Sequence, residues 1–139
     1  MKNILFFLIP KKDVVFLNNN CNLKFALEVI ESNGYSAIPL ISDKGKYIGT
    51  LNEGDLLWEF KNNADLNFEN CNRFSLNNIK RRRKVKPARI NDPLEKIIQL
   101  SKYQNFIPVI DDNGVFIGII RRKEILDYLL SLHQEVAMR

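Results

Sequence analysis

Short apolar runs alternate along the chain with apolar stripes at helical spacing, and the whole alternation occurs twice. Leu23, Ala26, Leu27 and Ile30 recur every three to four positions, as do Leu94, Ile97, Ile98 and Leu100. Each set predicts a helix with one buried face. Downstream of each lies an apolar run that opens on Ile-Pro, Ile38 to Ile41 in one half and Ile107 to Ile110 in the other, consistent with a buried strand. Asp43-Lys44-Gly45 and Asp112-Asn113-Gly114 then predict hairpin turns, because Gly supplies the positive φ such turns demand. A second apolar run leads into a further helix, carried by Leu56, Leu57 and Phe60 in the first half and by Ile125, Leu126, Leu129 and Leu130 in the second. Upstream, Val14 to Leu17 and Val85 to Ile90 read as extended segments by their β-branched content. The pattern predicts an α+β chain built from a β-α-β-β-α unit occurring twice.

The repeat is held in register by its punctuating residues. Pro39 and Pro108, Gly45 and Gly114, and Gly49 and Gly118 each lie 69 positions apart. Asp92-Pro93 opens the upstream helix of the second copy as a cap followed by proline at the first helical position. The division that follows is 1–62 for the first unit, with an N-terminal helix over Met1 to Leu8, then 63–84 as a basic linker with some helix, and 85–139 for the second unit. In the linker, Leu66, Phe68, Phe74, Leu76 and Ile79 show no strong period.

The 139 residues are 45% hydrophobic and 27% charged, which excludes disordered, collagenous and disulfide-scaffold classes. A chain of this length buries roughly two-thirds of its unfolded surface and needs neither metal nor disulfide to fold. Ile4 to Ile9 is far shorter than the ~20 apolar residues a bilayer requires, and Pro10-Lys11-Lys12 stands where small cleavage-site residues would follow an export signal. The expectation is a cytoplasmic protein with no membrane partner. Cys21 and Cys71 have no clustered Cys or His beside them and read as two reduced thiols, and no metal site is expected. The net charge of +5 is concentrated in Lys80 to Lys84, Lys86, Arg89 and Arg121-Arg122-Lys123. Such concentration favours an anionic partner, with a solvated basic loop as the plainer alternative.

The stretches Tyr35 to Ile41 and Gly49 to Leu57, with their partners Phe106 to Ile110 and Gly118 to Leu126, resemble the tandem CBS-domain proteins. The resemblance implies two βαββα units packed sheet to sheet about a pseudo-twofold axis, a Bateman module, with clefts between them that bind adenosine derivatives. It also implies homodimerisation. An adenosine site needs an apolar slot, backbone groups that read the base edge, a carboxylate for the ribose hydroxyls, and cations or hydroxyls for phosphate. The family's ribose carboxylate closes a Gly-x-x-Thr-x-x-Asp motif, and Gly49, Asn52 and Asp55 fall on those positions. As a cap of the helix that follows, Asp55 has an alternative role, though a cap alone explains neither Gly49 nor Asn52. Ser36, Ala37, Ile38 and Pro39 match the family's adenine-reading stretch, with Tyr35 stacking on the base or closing the pocket. For Ile38 and Pro39, core packing is the alternative. Lys12, Val14 and Val15 match the extended lead-in that lines the other face of the slot.

The second copy departs from the motif, with Arg121 at the Thr position and Glu124 at the Asp position. It is expected to form a weaker site, drawing on Arg89, Ile90, Ile107, Pro108 and Glu124. Under the twofold that the resemblance implies, Arg121 and Arg122 are the expected phosphate ligands of a nucleotide held by the first copy. The alternative is a solvated helix start, which is weakened because three cations there oppose the macrodipole. Gly34 to Pro39 together with Arg122-Lys123 also resembles small stand-alone CBS-pair proteins that bind cyclic di-AMP and act on partner enzymes. The expected function is therefore a regulatory sensor of AMP, ADP, ATP or cyclic di-AMP that signals in trans to an effector protein, with no classical cofactor. No nucleophile, paired-carboxylate or metal constellation can be assembled around the single His133, so an enzyme is not expected. The alternatives are nucleic-acid binding through Lys80 to Lys84, and a ligand-free scaffold. The first is disfavoured because the run has few aromatics and no groove-reading helix.

Overall fold

In the computed structural model of the chain, which describes residues 3–139, the two repeats become two compact units with separate cores. The first repeat supplies β2 (Leu17–Asn18), α1 (Leu23–Asn33), β3 (Ala37–Ile41), β4 (Tyr47–Asn52) and α2 (Glu53–Asn62). The second supplies β5 (Ala88–Arg89), α3 (Leu94–Ser101), β6 (Phe106–Ile110), β7 (Phe116–Arg121) and α4 (Arg122–Ala137). Both follow the β-α-β-β-α order. In each, the short leading strand pairs parallel to the Ile-Pro strand, which pairs antiparallel to its hairpin partner.

The repeat extends to irregularities. The register slips between Leu40 and Ile41 and again between Val109 and Ile110, while Gly45 and Gly114 both take φ 81° in the turns. Ile38, Leu40 and Leu51 are buried in one unit and Ile107, Val109 and Ile120 in the other, so each Ile-Pro strand and its partner send one face into their own core.

The units exchange their leading segments. Residues 15–84 form one unit, whereas residues 3–14 join 85–139 in the other. The exchange follows from pairing: β1 (Ile9–Pro10) runs antiparallel to β7, with Ile9 opposite Ile119 and Pro10 opposite Gly118, giving the sheet order β1-β7-β6-β5. The described part of the expected N-terminal helix is a 3-10 turn, Ile4–Phe7, whose Ile4 and Phe7 are buried in the core of the second repeat. Met1 and Lys2 lie outside the described residues.

The linker is likewise structural. Leu66, Cys71, Leu76 and Ile79 are buried in the core of the first repeat, on two 3-10 turns (Cys71–Arg73 and Leu76–Asn78) and the irregular chain around them. At the start of α3, Pro93 is the N-cap and its carbonyl accepts from the Lys96 amide. Asp92 instead accepts from the Arg89 amide at 2.7 Å and pairs with Lys96 at 3.0 Å, one position away from the expected capping role. Trp58 is 40% exposed on α2, with the Lys61 ammonium 5.4 Å from its ring centre. Among the described residues, no helix is long and apolar enough to cross a membrane, and no group of three Cys, His, Asp or Glu is placed to hold a metal ion.

Candidate functional site

β4 passes into α2 without a loop, so Asn52 ends the strand and caps the helix. Asn52 and Asp55 form a reciprocal capping box: the Asp55 carboxylate accepts the Asn52 amide at 2.9 Å while the Asn52 side chain faces the amide of Asp55. The arrangement satisfies first-turn donors that no helical carbonyl can reach. The Asn52 Nδ2 is left buried without a hydrogen-bond partner. Asp55 also reaches outside its helix, where its second oxygen accepts the backbone amide of Arg82 at 2.9 Å. Its side chain is 3% exposed.

The basic run therefore lies against the motif of the first repeat. Arg81 Nε stands 2.7 Å from where a Cβ on Gly49 would be, so the missing side chain at Gly49 makes room for the guanidinium. Burial pushes the Tyr47 phenol up to about 12, against opposing contributions from its hydrogen bond with Thr50 and from the Arg81 charge. The folded value exceeds the ordinary 10.0, so the contribution of Tyr47 to stability is complete below pH 10 and disappears as the pH rises through about 12. An alkaline unfolding series should show a loss of roughly 2–3 kcal/mol across that window, and Tyr47→Phe should remove the dependence. A slope unchanged in the variant would assign it elsewhere.

In the same unit, Ala37 pairs with Asn52, and the Ser36 carbonyl accepts the Glu53 amide at 2.9 Å. Ser36, Ala37, Asn52 and Asp55 thus meet at one end of the sheet. Tyr35 and Ser36 are exposed there, whereas Ile38 and Pro39 are buried within the unit. Val15 belongs to this unit as well, but Lys12 and Val14 belong to the other, which also contains Arg121, Arg122 and Glu124. Lys12 lies in a 3-10 turn (Lys11–Asp13) that packs beside β7.

The second repeat satisfies its own charges. Arg121 pairs with Glu124 at 2.8 Å and Lys123 with Asp127 at 2.9 Å, so the cations at the start of α4 already have carboxylates beside them. Arg122 donates its Nε to the Ser101 carbonyl at 2.7 Å. Ile107 and Pro108 are buried, Ile90 is half-buried and Arg89 is exposed. Lys86 is clamped by the buried Gln104, whose side chain accepts the Lys86 amide at 2.8 Å and donates to its carbonyl at 3.0 Å. His133 is exposed on α4, and burial pushes the Cys21 thiol up, away from nucleophilic readiness.

The sequence reading assigns Arg81 and Arg82 to a basic linker rather than to positions against Gly49 and Asp55, and it does not single out Gln104. Leu17 sits opposite Leu40 as Ala88 sits opposite Val109, so the segments before them are counterparts, and the basic run is the lead-in of the second repeat. That equivalence was the available signal.

A doubled βαββα unit, with Gly49, Asn52 and Asp55 at the junction of strand and helix, defines a tandem CBS-domain protein, the arrangement called a Bateman module. The chain belongs to the CBS-domain family, whose model matches residues 7–62 and 78–131. Each matched stretch begins within an exchanged segment. The crystal structure of CbpB in complex with c-di-AMP has a TM-score of 0.85 with this chain, at 26% identity, covering 99% of it and 91% of CbpB. Cyclic di-AMP receptor B of Bacillus subtilis is 25% identical over 123 residues, 88% of this chain and 83% of the receptor. The homoserine O-acetyltransferase of Methanosalsum zhilinae is 28% identical over 119 residues, yet the chain spans only 22% of that enzyme.

Proposed function

We propose that the protein is a regulatory sensor of an adenine nucleotide, cyclic di-AMP first and AMP, ADP or ATP next, and that it passes the signal to an effector protein in trans. The likeness to CbpB in complex with c-di-AMP over nearly the whole length of both chains carries this reading. Asp55 is the proposed acceptor for ribose hydroxyls, Asn52 a polar contact, Tyr35 to Pro39 the base-reading stretch, and Lys12, Val14 and Val15 the lead-in of the slot. Arg121 and Arg122 are proposed phosphate ligands, which exchange Glu124 and the Ser101 carbonyl for phosphate oxygens. Arg89, Ile90, Ile107, Pro108 and Glu124 remain a proposed weaker site. A homodimer is proposed as the form that meets the effector.

The test is a thermal-shift panel at fixed protein concentration with cyclic di-AMP, AMP, ADP, ATP, GTP and a short DNA duplex. A ligand at 100 times its Kd contributes about 2.7 kcal/mol, a shift of several degrees for a domain of this size. A selective shift with one adenine compound is expected. A flat panel would support the second reading, a scaffold whose site is closed by its own chain, which the engaged carboxylate of Asp55 favours. A shift with DNA alone would return the basic run to nucleic acid, and its dependence on salt would be steep.

A further inference from the structure

Asp55 has no room for a ribose in the arrangement just described. Both oxygens accept backbone amides, from Asn52 and Arg82, and the side chain is 3% exposed. A carboxylate oxygen keeps a second lone pair, but a hydroxyl needs an open path to it. The two donors differ in how firmly they are held. The Asn52 amide belongs to the last residue of β4, which pairs with Ala37 and caps α2, so two elements hold it in place. The Arg82 amide belongs to a segment that is neither helix nor strand, between the buried Ile79 and the clamped Lys86.

The geometry points to residues Lys80 to Lys84 as a displaceable strap that Asp55 holds through the Arg82 amide, and that an adenine nucleotide releases by putting a ribose hydroxyl in the amide's place. The inference rests on the reading of Asp55 as the ribose acceptor. The side chains of the strap suit the exchange. All five are exposed cations, free to meet the phosphates of an incoming anion while the backbone gives way. The Arg81 guanidinium rests on Gly49 without backbone strain, a contact that breaks by side-chain rotation. The ligand then works against the strap, and its apparent affinity is reduced by the fraction of time the strap is closed. Release changes the surface next to Asp55, which is a signal a partner protein can read.

The strap contains five consecutive trypsin-sensitive positions, so limited digestion of the full chain, with cleavage mapped by mass spectrometry, reports its state directly. Without ligand, and well below the melting temperature of the variant, Asp55→Ala should raise cleavage after residues 80–84 several-fold more than cleavage elsewhere in the chain. Unchanged cleavage there would show that Asp55 does not hold the strap. In the wild type, saturating cyclic di-AMP or ATP, with binding verified by calorimetry, should raise cleavage at the same bonds. Binding that leaves them as protected as before, or more so, overturns the inference and leaves the nucleotide-sensor reading standing. Absence of binding by every adenine compound overturns that reading and the exchange with it, whatever the Asp55→Ala digestion shows. Arg82→Pro removes the competing amide and leaves the capping box intact. Measured against Arg82→Ala, which loses the same cation but keeps the amide, it should bind nucleotide about tenfold more tightly, the worth of one charge-assisted hydrogen bond, whereas binding no tighter than that of Arg82→Ala would reject the competition.

Discussion

Replacing Gly118 by alanine is expected to lower the melting temperature by roughly 10 °C or more, the counterpart of about 3–4 kcal/mol. Gly118 has φ 156°, and a Cβ there would overlap the carbonyl oxygen of Ile9 and lie 2.9 Å from Leu8 Cδ1. The Ile9 carbonyl is backbone in a paired strand, so it cannot turn aside. Relief requires β1 to leave β7, and the buried Ile4 and Phe7 are carried with it. Gly49 stands at the matching position of the first repeat and provides the control. The three atoms nearest its Cβ would be Nε, Cζ and Cδ of Arg81, a flexible side chain, so Gly49→Ala should cost no more than about 1 kcal/mol. The measurement is a pair of thermal melts. Equal midpoints for the two variants would mean that β1 does not hold its unit together.

The second large effect is expected at Asp55. Alanine there leaves the amides of Asn52 and Arg82 without their acceptor and removes the capping box of α2, at a cost of about 3 kcal/mol. Calorimetry on the variant should also show nucleotide affinity reduced by at least a hundredfold, because the proposed ribose acceptor is gone. Asp55→Asn retains one acceptor oxygen and should fall between the two in stability. The outcome that would remove Asp55 from the site is a destabilised variant that binds the nucleotide as tightly as the wild type.

Much of this architecture was legible because the determinants were local and doubled. The helical stripes of Leu23 to Ile30 and Leu94 to Leu100, the Ile-Pro strands and the Gly45 and Gly114 turns all depend on neighbours in sequence, and each was confirmed by its copy. What escaped was pairing at long range. β1 has two residues, too few for a periodic signal, and nothing local in Ile9-Pro10 specifies Gly118 and Ile119 as its partners. Leu66, Cys71, Leu76 and Ile79 are core residues on irregular backbone, where burial leaves no period to read. The basic run misled for a different reason. Its side chains are exposed, as a solvated loop would have them, while the interaction that places it is made by the backbone amide of Arg82, a group every non-proline residue carries. At Asp55 the motif leaves capping and a ligand role as alternatives. The capping half is present, together with a second partner, the Arg82 amide, that spacing along the motif does not reveal.

The exchange of leading segments also orders events on the ribosome. Residues 15–84 are contiguous, so that unit has all its parts as soon as Lys84 has emerged. The other unit must join Ile9 to Ile119 across the whole of the contiguous unit. Its loop closes late and its contacts are far apart in sequence, the combination that slows folding and prolongs exposure of apolar surface. Until β7 appears, Ile4, Phe7 and Leu8 have no strand to cover them, and the nascent chain presents this apolar segment to chaperones while the residues between β1 and β7 are made.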